Sequence, residues 1–221
     1  MSPGLKRLLV DLRPAEVERI SAILAACPTI DLEAGVPYFR NSFPAEALLV
    51  VQDGFIVVRA SAAGRSRTVI TCEAGPGRLM VPPSPEEVLF GLGLSRLIVV
   101  SGDAFDRLVA VPGAARILRE ELAATLAQTQ EALSNFAFTR HIDRVRRKLL
   151  QLARDYGHVA SDGIHIHFPV SHTVLAEMVG SSRETVTRAL DQLQHVGFVA
   201  RRGHAYRLLV SPERVLEAVS A

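Results

Sequence analysis

The segment Val179–Leu190 reads VGSSRETVTRAL, a tight turn followed by a helix-forming run. Gly180 favours the left-handed backbone that ends one helix, and Ser182 is a suitable N-cap for the next. The apolar spacing of the second helix predicts one buried stripe, formed by Val186, Leu190 and Leu193. The remaining faces of this helix are therefore expected to carry exposed polar side chains.

The residues before the turn predict a first helix from Ser171 to Val179, with Ser171 as its N-cap. Its apolar residues recur at helical spacing on one side: Val174, Leu175, Met178 and Val179. Two helices joined by a tight turn form a helix-turn-helix, whose second helix reads bases in the major groove of DNA.

Three polar side chains near the start of the second helix are candidates for reading bases: Arg183, Glu184 and Arg188. Arginine can donate two hydrogen bonds to guanine, and a glutamate can accept one from the N4 amine of cytosine. The alternative is an ordinary surface helix in which Glu184 and Arg188 form an i, i+4 ion pair. The spacing alone favours the first interpretation.

Residues 197–210 predict a β-hairpin with its turn at Arg202-Gly203. Apolar residues alternate along both arms, at Phe198, Ala200, Tyr206, Leu208 and Val210. Positive charge lies on the same hairpin, at Arg201, Arg202, His204 and Arg207. A charged hairpin is usually a solvated turn, but beside a helix-turn-helix it is typical of a wing that contacts phosphates.

From about Leu126 to Val210 the chain resembles the Crp/Fnr superfamily of bacterial transcription regulators. The resemblance rests on three motifs: Ser134–Phe138 (SNFAF), Ser161–Ile164 (SDGI) and Ser182–Val186 (SRETV). In the cyclic-AMP receptor branch, the residues at the positions of Arg183, Glu184 and Arg188 read a TGTGA-type half-site. The resemblance also implies contacts to phosphate or sugar from Ser171, Thr173, Ser182 and Thr185, and a wing tip formed by Arg202 and Gly203.

The chain as a whole has 221 residues, a 48% hydrophobic composition and a net charge of +2. Two domains are expected at this length, and the small net charge gives specific contacts more weight than bulk attraction to DNA. No long uncharged apolar run predicts a membrane span, and the first residues do not resemble a signal peptide. Cys27 and Cys72 form neither a disulfide framework nor a metal motif, so a cytoplasmic protein is expected.

The N-terminal half predicts a helix over 14–26 and then a series of short strands. Runs at 48–52 and 55–59 flank Asp53-Gly54, which predicts a β-hairpin. A second pair, 57–60 with 68–72, surrounds Ala63-Gly64-Arg65, and a last strand spans 97–100. The fold class is therefore α+β, with an antiparallel β-barrel or jelly roll. The resemblance implies that this half is a cyclic-nucleotide-type sensor domain.

The expected effector segment, residues 73–90, departs from the family pattern. It lacks the Gly-Glu pair and the Arg-Ser/Thr-Ala motif, and prolines replace possible N–H donors. Weak candidates for an effector contact are Arg78, Thr129 (at the position of the adenine-contacting threonine) and Gln130. Cyclic-AMP control in the usual mode is not expected, although gating by a cyclic nucleotide in another mode or by another small ligand stays open.

Other cofactors of the family can be tested against the residues present. An iron–sulfur cluster needs four cysteines, and the sensor half has no histidine for haem. Cys72 lies in a predicted strand, where a buried and inert thiol is expected. No cofactor is therefore predicted.

A long helix is predicted from Ala114 to Phe138. Its apolar side recurs at coiled-coil spacing, through Leu118, Leu122, Leu126, Thr129, Leu133 and Phe136. The alternative is a helix that packs on the barrel, but a two-fold dimer seam fits the resemblance better. The predicted organisation is a sensor domain at 1–113, a dimerisation helix at 114–138 and a winged helix-turn-helix at 139–221.

The next predicted helix, over 142–156, carries a basic run at Arg144, Arg146, Arg147 and Lys148. Such a run usually forms a solvated face, and the alternative is a contact with flanking DNA. We therefore expect these four side chains to lie on the surface.

Two other functional classes remain. His165 and His167 share one face of a strand with His172 nearby, which is the beginning of a metal site in a jelly-roll enzyme, but no further ligand is evident. A winged helix that binds only proteins would not need the three base-reading side chains. The prediction is a non-enzymatic regulator whose partners are double-stranded DNA, a second copy of the chain and RNA polymerase, through loops such as 157–162, with no membrane.

Overall fold

The computed structural model describes residues 3–61, 68–203 and 205–209. They form two compact units, one of residues 3–61 and 71–129, the other of 68–70, 130–203 and 205–209. The helices are α1 (Pro3–Leu8), α2 (Pro14–Ala25), α3 (Asp103–Val109), α4 (Pro112–Asn135), α5 (His141–Tyr156), α6 (His172–Val179) and α7 (Arg183–His195). A single 3-10 turn spans Arg40–Ser42.

Short strands make up the rest of the regular structure. In the N-terminal half they are β1 (Thr29–Leu32), β2 (Leu48–Asp53), β3 (Ile56–Ser61), β4 (Thr68–Ala74), β5 (Leu79–Met80), β6 (Glu87–Gly91) and β7 (Ser95–Val100). In the C-terminal half they are β8 (His158–Ala160), β9 (Gly163–Ile166), β10 (Val199–Arg202) and β11 (Ala205–Leu208).

Two antiparallel sheets form the first unit, in the orders β1-β7-β2-β5 and β4-β3-β6. Strand β2 explains how they pack. Leu49 and Val51 point into the core between the sheets, whereas Val50 points the other way, into a core with α1 to α4. Because both faces of β2 are buried, its sequence is a continuous apolar run rather than an alternating one. The predicted jelly-roll-like α+β fold is confirmed, but the sheets do not close into a barrel.

The predicted hairpin at Asp53-Gly54 is wrong. Strand β2 pairs with β7 and β5, and β3 lies between β4 and β6 in the other sheet. Gly54 has a φ of +83°, and Ser95 packs so closely that no side chain fits there. The turn therefore carries the chain from one sheet to the other instead of pairing its two flanking strands.

Other expectations for this half are confirmed. The helix predicted over 14–26 is α2, the last strand is β7, and β3 neighbours β4 as the second predicted pair requires. The turn Ala63-Gly64-Arg65 lies outside the described residues. The short helix α1 was not predicted.

The second unit packs α5, α6 and α7 against an antiparallel sheet in the order β10-β11-β9-β8. The predicted stripes are buried: Val186, Leu190 and Leu193 on α7, with Val174, Leu175, Met178 and Val179 on α6. Strand β11 of the hairpin buries Tyr206 and Leu208. Val210 lies outside the described residues.

Helix α4 is 24 residues long and contributes residues to both units. It ends at Asn135, three residues before the predicted end, and Phe136–Phe138 continue as a turn. Four apolar side chains of the predicted seam are strongly exposed: Leu122, Leu126, Leu133 and Phe136. Leu118 is half-buried and Thr129 is exposed. No helix of the described residues has the length and apolar character needed to cross a membrane.

Candidate nucleic-acid interface

The helix-turn-helix is held by its two serine caps and one glycine. The Ser171 hydroxyl accepts from the backbone N–H of Val174, and the Ser182 hydroxyl accepts from that of Thr185, both at 3.2 Å. Gly180 adopts the left-handed conformation, with φ 60° and ψ 45°. Each of these local features follows from the sequence, because a cap satisfies N–H groups that the helix itself cannot.

The outer face of α7 carries the three predicted base-reading side chains. Val186, Ala189, Leu190 and Leu193 are buried on the inner face, and Arg183, Glu184 and Arg188 are exposed. The Arg183 and Arg188 guanidinium groups have no hydrogen bond or ion pair with the described residues. Their donors are therefore available to an external partner.

Glu184 is held in its ionised form. Its own backbone N–H and the Ser182 side chain lower the pKa of the Glu184 carboxyl, and Arg183 and Arg188 add a smaller electrostatic contribution. An ionised carboxylate only accepts hydrogen bonds, which suits it to an amine donor such as cytosine N4.

The predicted phosphate-contacting hydroxyls cluster at the starts of the two helices. Ser171 and Thr173 lie at the N-terminus of α6, and Ser182 and Thr185 at that of α7. The hydroxyls of Ser182 and Thr185 are 3.0 Å apart. Helix N-termini favour anions, so these four positions suit phosphate oxygens.

The wing is the hairpin of β10 and β11. Arg201 lies opposite Tyr206 and Arg202 opposite Ala205, so the chain reverses after Arg202, as predicted. Gly203 has a φ of +62° and open space around it. His204 lies outside the described residues.

Residues 143–218 match the Crp-like helix-turn-helix domain family. This match covers the caps, the recognition helix and the wing. The C-terminal part of the chain therefore carries a Crp-like helix-turn-helix domain.

Relatives span nearly the whole chain. Over 207 residues it is 26% identical to the CRP-like cAMP-activated global transcriptional regulator of Mycobacterium tuberculosis, covering 90% of this chain and 92% of that protein. The c-di-GMP responsive global regulator CLP of Xanthomonas campestris has a TM-score of 0.64 at 25% identity, covering 90% of this chain and 100% of that one. A CooA variant from Carboxydothermus hydrogenoformans shares the fold, with a TM-score of 0.73 at 15% identity over 99% and 96% of the two chains.

The candidate effector residues Arg78, Thr129 and Gln130 lie in different surroundings. Arg78 is 17% exposed and forms an ion pair with Glu121 of α4, with 3.3 Å between Nε and Oε2. The same carboxylate accepts from the backbone N–H of Leu79. Thr129 and Gln130 are exposed, and the Thr129 hydroxyl donates to the carbonyl of Thr125. Arg78 therefore already has an anionic partner within the sensor unit.

The basic run of α5 is not a solvated face, which corrects the expectation from its sequence. Lys148 is 4% exposed and donates to the side chain of Gln151 at 2.9 Å. Arg144 donates to the carbonyl of Phe138 at 2.6 Å, and Arg147 lies over the Phe138 ring at 4.6 Å. Arg146 is exposed but rests over the Phe198 ring. Phe138 and Phe198 lie outside α5, so the spacing within this helix does not reveal the contacts that its arginines make with them.

The three histidines considered as metal ligands separate into two places. His165 and His167 stack on the outer face of β9 and the residue after it, with ring centroids 5.5 Å apart. His172 instead contacts Thr187 and Arg201 at the helix-turn-helix. Within the described ranges, no three His, Cys, Asp or Glu side chains are arranged to hold a metal ion.

Neither Cys27 nor Cys72 forms a disulfide bond. Burial raises the pKa of the Cys27 thiol against a weak opposing effect of Arg107, and its Sγ donates to the carbonyl of Ile23. Cys72 is half-buried in β4, less enclosed than expected. A raised pKa keeps a thiol in its less reactive protonated form, so Cys27 fits an inert core residue.

Proposed function

We propose that this chain is a homodimeric transcription regulator that reads a palindromic TGTGA-like site. The observation that carries the proposal is the exposure of Arg183, Glu184 and Arg188 together on the outer face of a capped recognition helix. Two arginines and one ionised carboxylate match the donor and acceptor pattern of guanine and cytosine edges in the major groove. The hydroxyls at the two helix N-termini and the wing residues Arg202 and Gly203 would position the module on the phosphates.

The proposed organisation is a sensor domain at 1–113, a dimerisation helix at 114–138 and a DNA-binding domain at 139–221. The exposed leucines of α4 support a dimer, because a second copy would remove them from water. A two-fold dimer presents two recognition helices, which explains a palindromic site with half-sites one helical turn apart. In this scheme the protein is cytoplasmic, acts without enzymatic chemistry and contacts RNA polymerase through the segment at 157–162, which was expected to be a loop and contains β8.

Regulation is proposed to be independent of cyclic AMP in the usual mode. The support is the Arg78–Glu121 ion pair, in which an arginine of the expected effector segment already has an anionic partner. The second candidate is a ligand-gated regulator of the same family. The names of two relatives favour it, one as cAMP-activated and one as responsive to c-di-GMP.

The test is a titration of the full chain against a TGTGA-N6-TCACA duplex and a scrambled duplex of equal length, at fixed salt. We expect selective binding without nucleotide and no change on addition of cyclic AMP. Selective binding only with cyclic AMP, or only with c-di-GMP, would instead establish the ligand-gated candidate. Equal binding to both duplexes would contradict the proposed site.

A further inference from the structure

His172 stands where three elements of the DNA-binding unit meet. It is the first residue of α6 and is half-buried. Its Nδ1 lies 2.8 Å from the hydroxyl of Thr187 on α7, and its Nε2 lies 2.6 Å from a guanidinium nitrogen of Arg201 on β10. The imidazole thus bridges the recognition helix and the wing.

The direction of each hydrogen bond in this bridge follows from its neighbours. The Thr187 hydroxyl donates its one hydrogen to the carbonyl of Arg183 at 2.9 Å, so it must accept from Nδ1–H of His172. Arginine only donates, so Nε2 of His172 must accept from Arg201. The network therefore assigns a neutral imidazole protonated on Nδ1. Four groups connect head to tail, from the wing arginine to the first carbonyl of α7.

Arg201 is held from a second side by an aromatic ring. Its guanidinium carbon lies 5.9 Å from the ring centroid of Tyr206, its cross-strand partner, which is only 1% exposed. Arg201 itself is exposed, and its other N–H groups meet no hydrogen-bond partner among the described residues. One N–H group of the Arg201 guanidinium is therefore engaged by His172, and the others are available to an external partner.

We propose that His172 is a positioning residue that fixes Arg201 as a phosphate donor beside the N-terminus of α6. This inference rests on the proposed DNA-binding function. A free arginine loses rotamer freedom when it binds a phosphate, whereas an arginine already held by His172 and Tyr206 has lost that freedom in the free protein. The hydrogen bond from Arg201 to His172 therefore strengthens a contact with the DNA phosphates, whatever the base sequence. The bases themselves are read by α7.

A matched pair of substitutions separates the hydrogen bonds from the bulk of the side chain. Glutamine offers an N–H for Thr187 and a carbonyl oxygen for Arg201, so His172→Gln can preserve the bridge. His172→Leu replaces the imidazole with an apolar side chain of similar size that can form neither hydrogen bond. Arg201→Ala and the double variant His172→Leu/Arg201→Ala complete a thermodynamic cycle.

The measurements are the affinities of the full-length variants for the TGTGA-N6-TCACA duplex and the scrambled duplex over a series of salt concentrations. We expect His172→Leu to weaken binding to both duplexes by about three- to tenfold, the scale of immobilising one long side chain. The slope of log affinity against log salt concentration should fall by about the value of one phosphate contact, as for Arg201→Ala. His172→Gln should bind like the wild type, and His172→Leu should add nothing to Arg201→Ala. Additive losses, an unchanged salt slope or a His172→Gln variant as weak as His172→Leu would overturn the proposal.

A second readout needs no DNA. Long-range ¹H–¹⁵N correlation spectra of the free protein report the protonated nitrogen of each imidazole, and the signals absent in His172→Gln identify His172. We expect the Nδ1–H neutral form, and an Nε2–H form would overturn the network. Thermal unfolding of each variant excludes loss of fold as the cause of weak binding.

Failure of the proposed DNA site and failure of the positioning role can be told apart. If the wild type has the Nδ1–H form but binds both duplexes equally, the TGTGA-like site is wrong, while the salt series still tests the positioning role of His172.

Discussion

At the scale of single residues, Arg183 and Arg188 differ from the arginines of α5. The arginines of α5 rest on aromatic rings, backbone carbonyls or carboxylates, whereas Arg183 and Arg188 have open donors on an exposed helix face. An arginine whose donors are engaged within the protein contributes to packing, and one whose donors are open is suited to a ligand. The surroundings of each arginine, rather than its place in a basic run, indicate its role.

Replacing either Arg183 or Arg188 with alanine should cost about 1–3 kcal/mol of specific binding and relax the preference at one base pair. The loss should be confined to the TGTGA-like duplex, because base contacts carry the sequence information. Competition titrations against single-position variants of the site measure both effects. Arg19→Ala, an exposed arginine of α2, is the charge-matched control. Equal losses on specific and random DNA would assign these arginines to the phosphates.

The turn of the helix-turn-helix offers a second residue-scale test. Alanine at position 180 would have to adopt the left-handed conformation of Gly180. Its methyl group would also collide with the ring of Phe136. Gly197 has a similar φ of +69° but open space around it. We expect Gly197→Ala to lower the free energy of unfolding by about 1–2 kcal/mol, from the backbone alone. Gly180→Ala should cost about 1–3 kcal/mol more, from overpacking.

Urea unfolding of the two alanine variants gives the comparison directly. Phe136→Ala should remove the additional cost of Gly180→Ala while leaving the cost of Gly197→Ala unchanged. Equal destabilisation by the two glycine substitutions would show that Phe136 does not confine the turn.

At the scale of elements, the sequence predicts what is local. Ser171, Gly180 and Ser182 specify α6 and α7 because capping and turn chemistry act within a few residues, and these elements lie where they were expected. Asp53-Gly54 failed as a hairpin because the turn specifies a change of direction, and strand partners are chosen by side chains elsewhere in the chain. The same reasoning applies to His172, whose partner Arg201 is 29 residues away in the sequence.

The start of β9 is held by a carboxylate. Hydrogen bonds from His165, at 2.7 Å, and from Arg207 lower the pKa of Asp162 to about 2. Since the folded-state pKa lies below the unfolded value near 4, the ionised carboxylate favours the folded state. Its contribution is present above about pH 4 and is lost as the pH falls towards 2.

Asp162→Asn should therefore lower the stability of the protein at neutral pH, and the gap from the wild type should close between about pH 4 and pH 2. Denaturant unfolding over that range tests it, with Asp191→Asn, an exposed carboxylate on α7, as the control. A gap that stays constant with pH would show that the network of His165 and Arg207 does not depend on the charge of Asp162.

At the scale of the whole molecule, the family could be recognised from the sequence because the DNA-binding half retains its motifs. The sensor half could be predicted only as a β-rich fold. Its distinguishing feature, the ion pair of Arg78 with Glu121, joins residues 43 positions apart and has no local sequence signal. A domain family can therefore be recognised in one half of a chain, while the contacts that bear on regulation in the other half require its structure.

The proposed dimer would connect α4 to DNA affinity, because two recognition helices on one palindrome bind with an effective concentration that a single helix lacks. Leu126 is 58% exposed, and Leu126→Lys would bring two charges together at the proposed seam. We expect this variant to sediment as a monomer and to lose about 10²-fold in affinity for the palindrome, with its affinity for an isolated half-site unchanged. Ala127→Lys, exposed on another face of α4, should remain a dimer with wild-type affinity. A Leu126→Lys variant that stays dimeric, or a monomer that binds the palindrome as tightly as the wild type, would separate this face of α4 from the DNA-bound assembly.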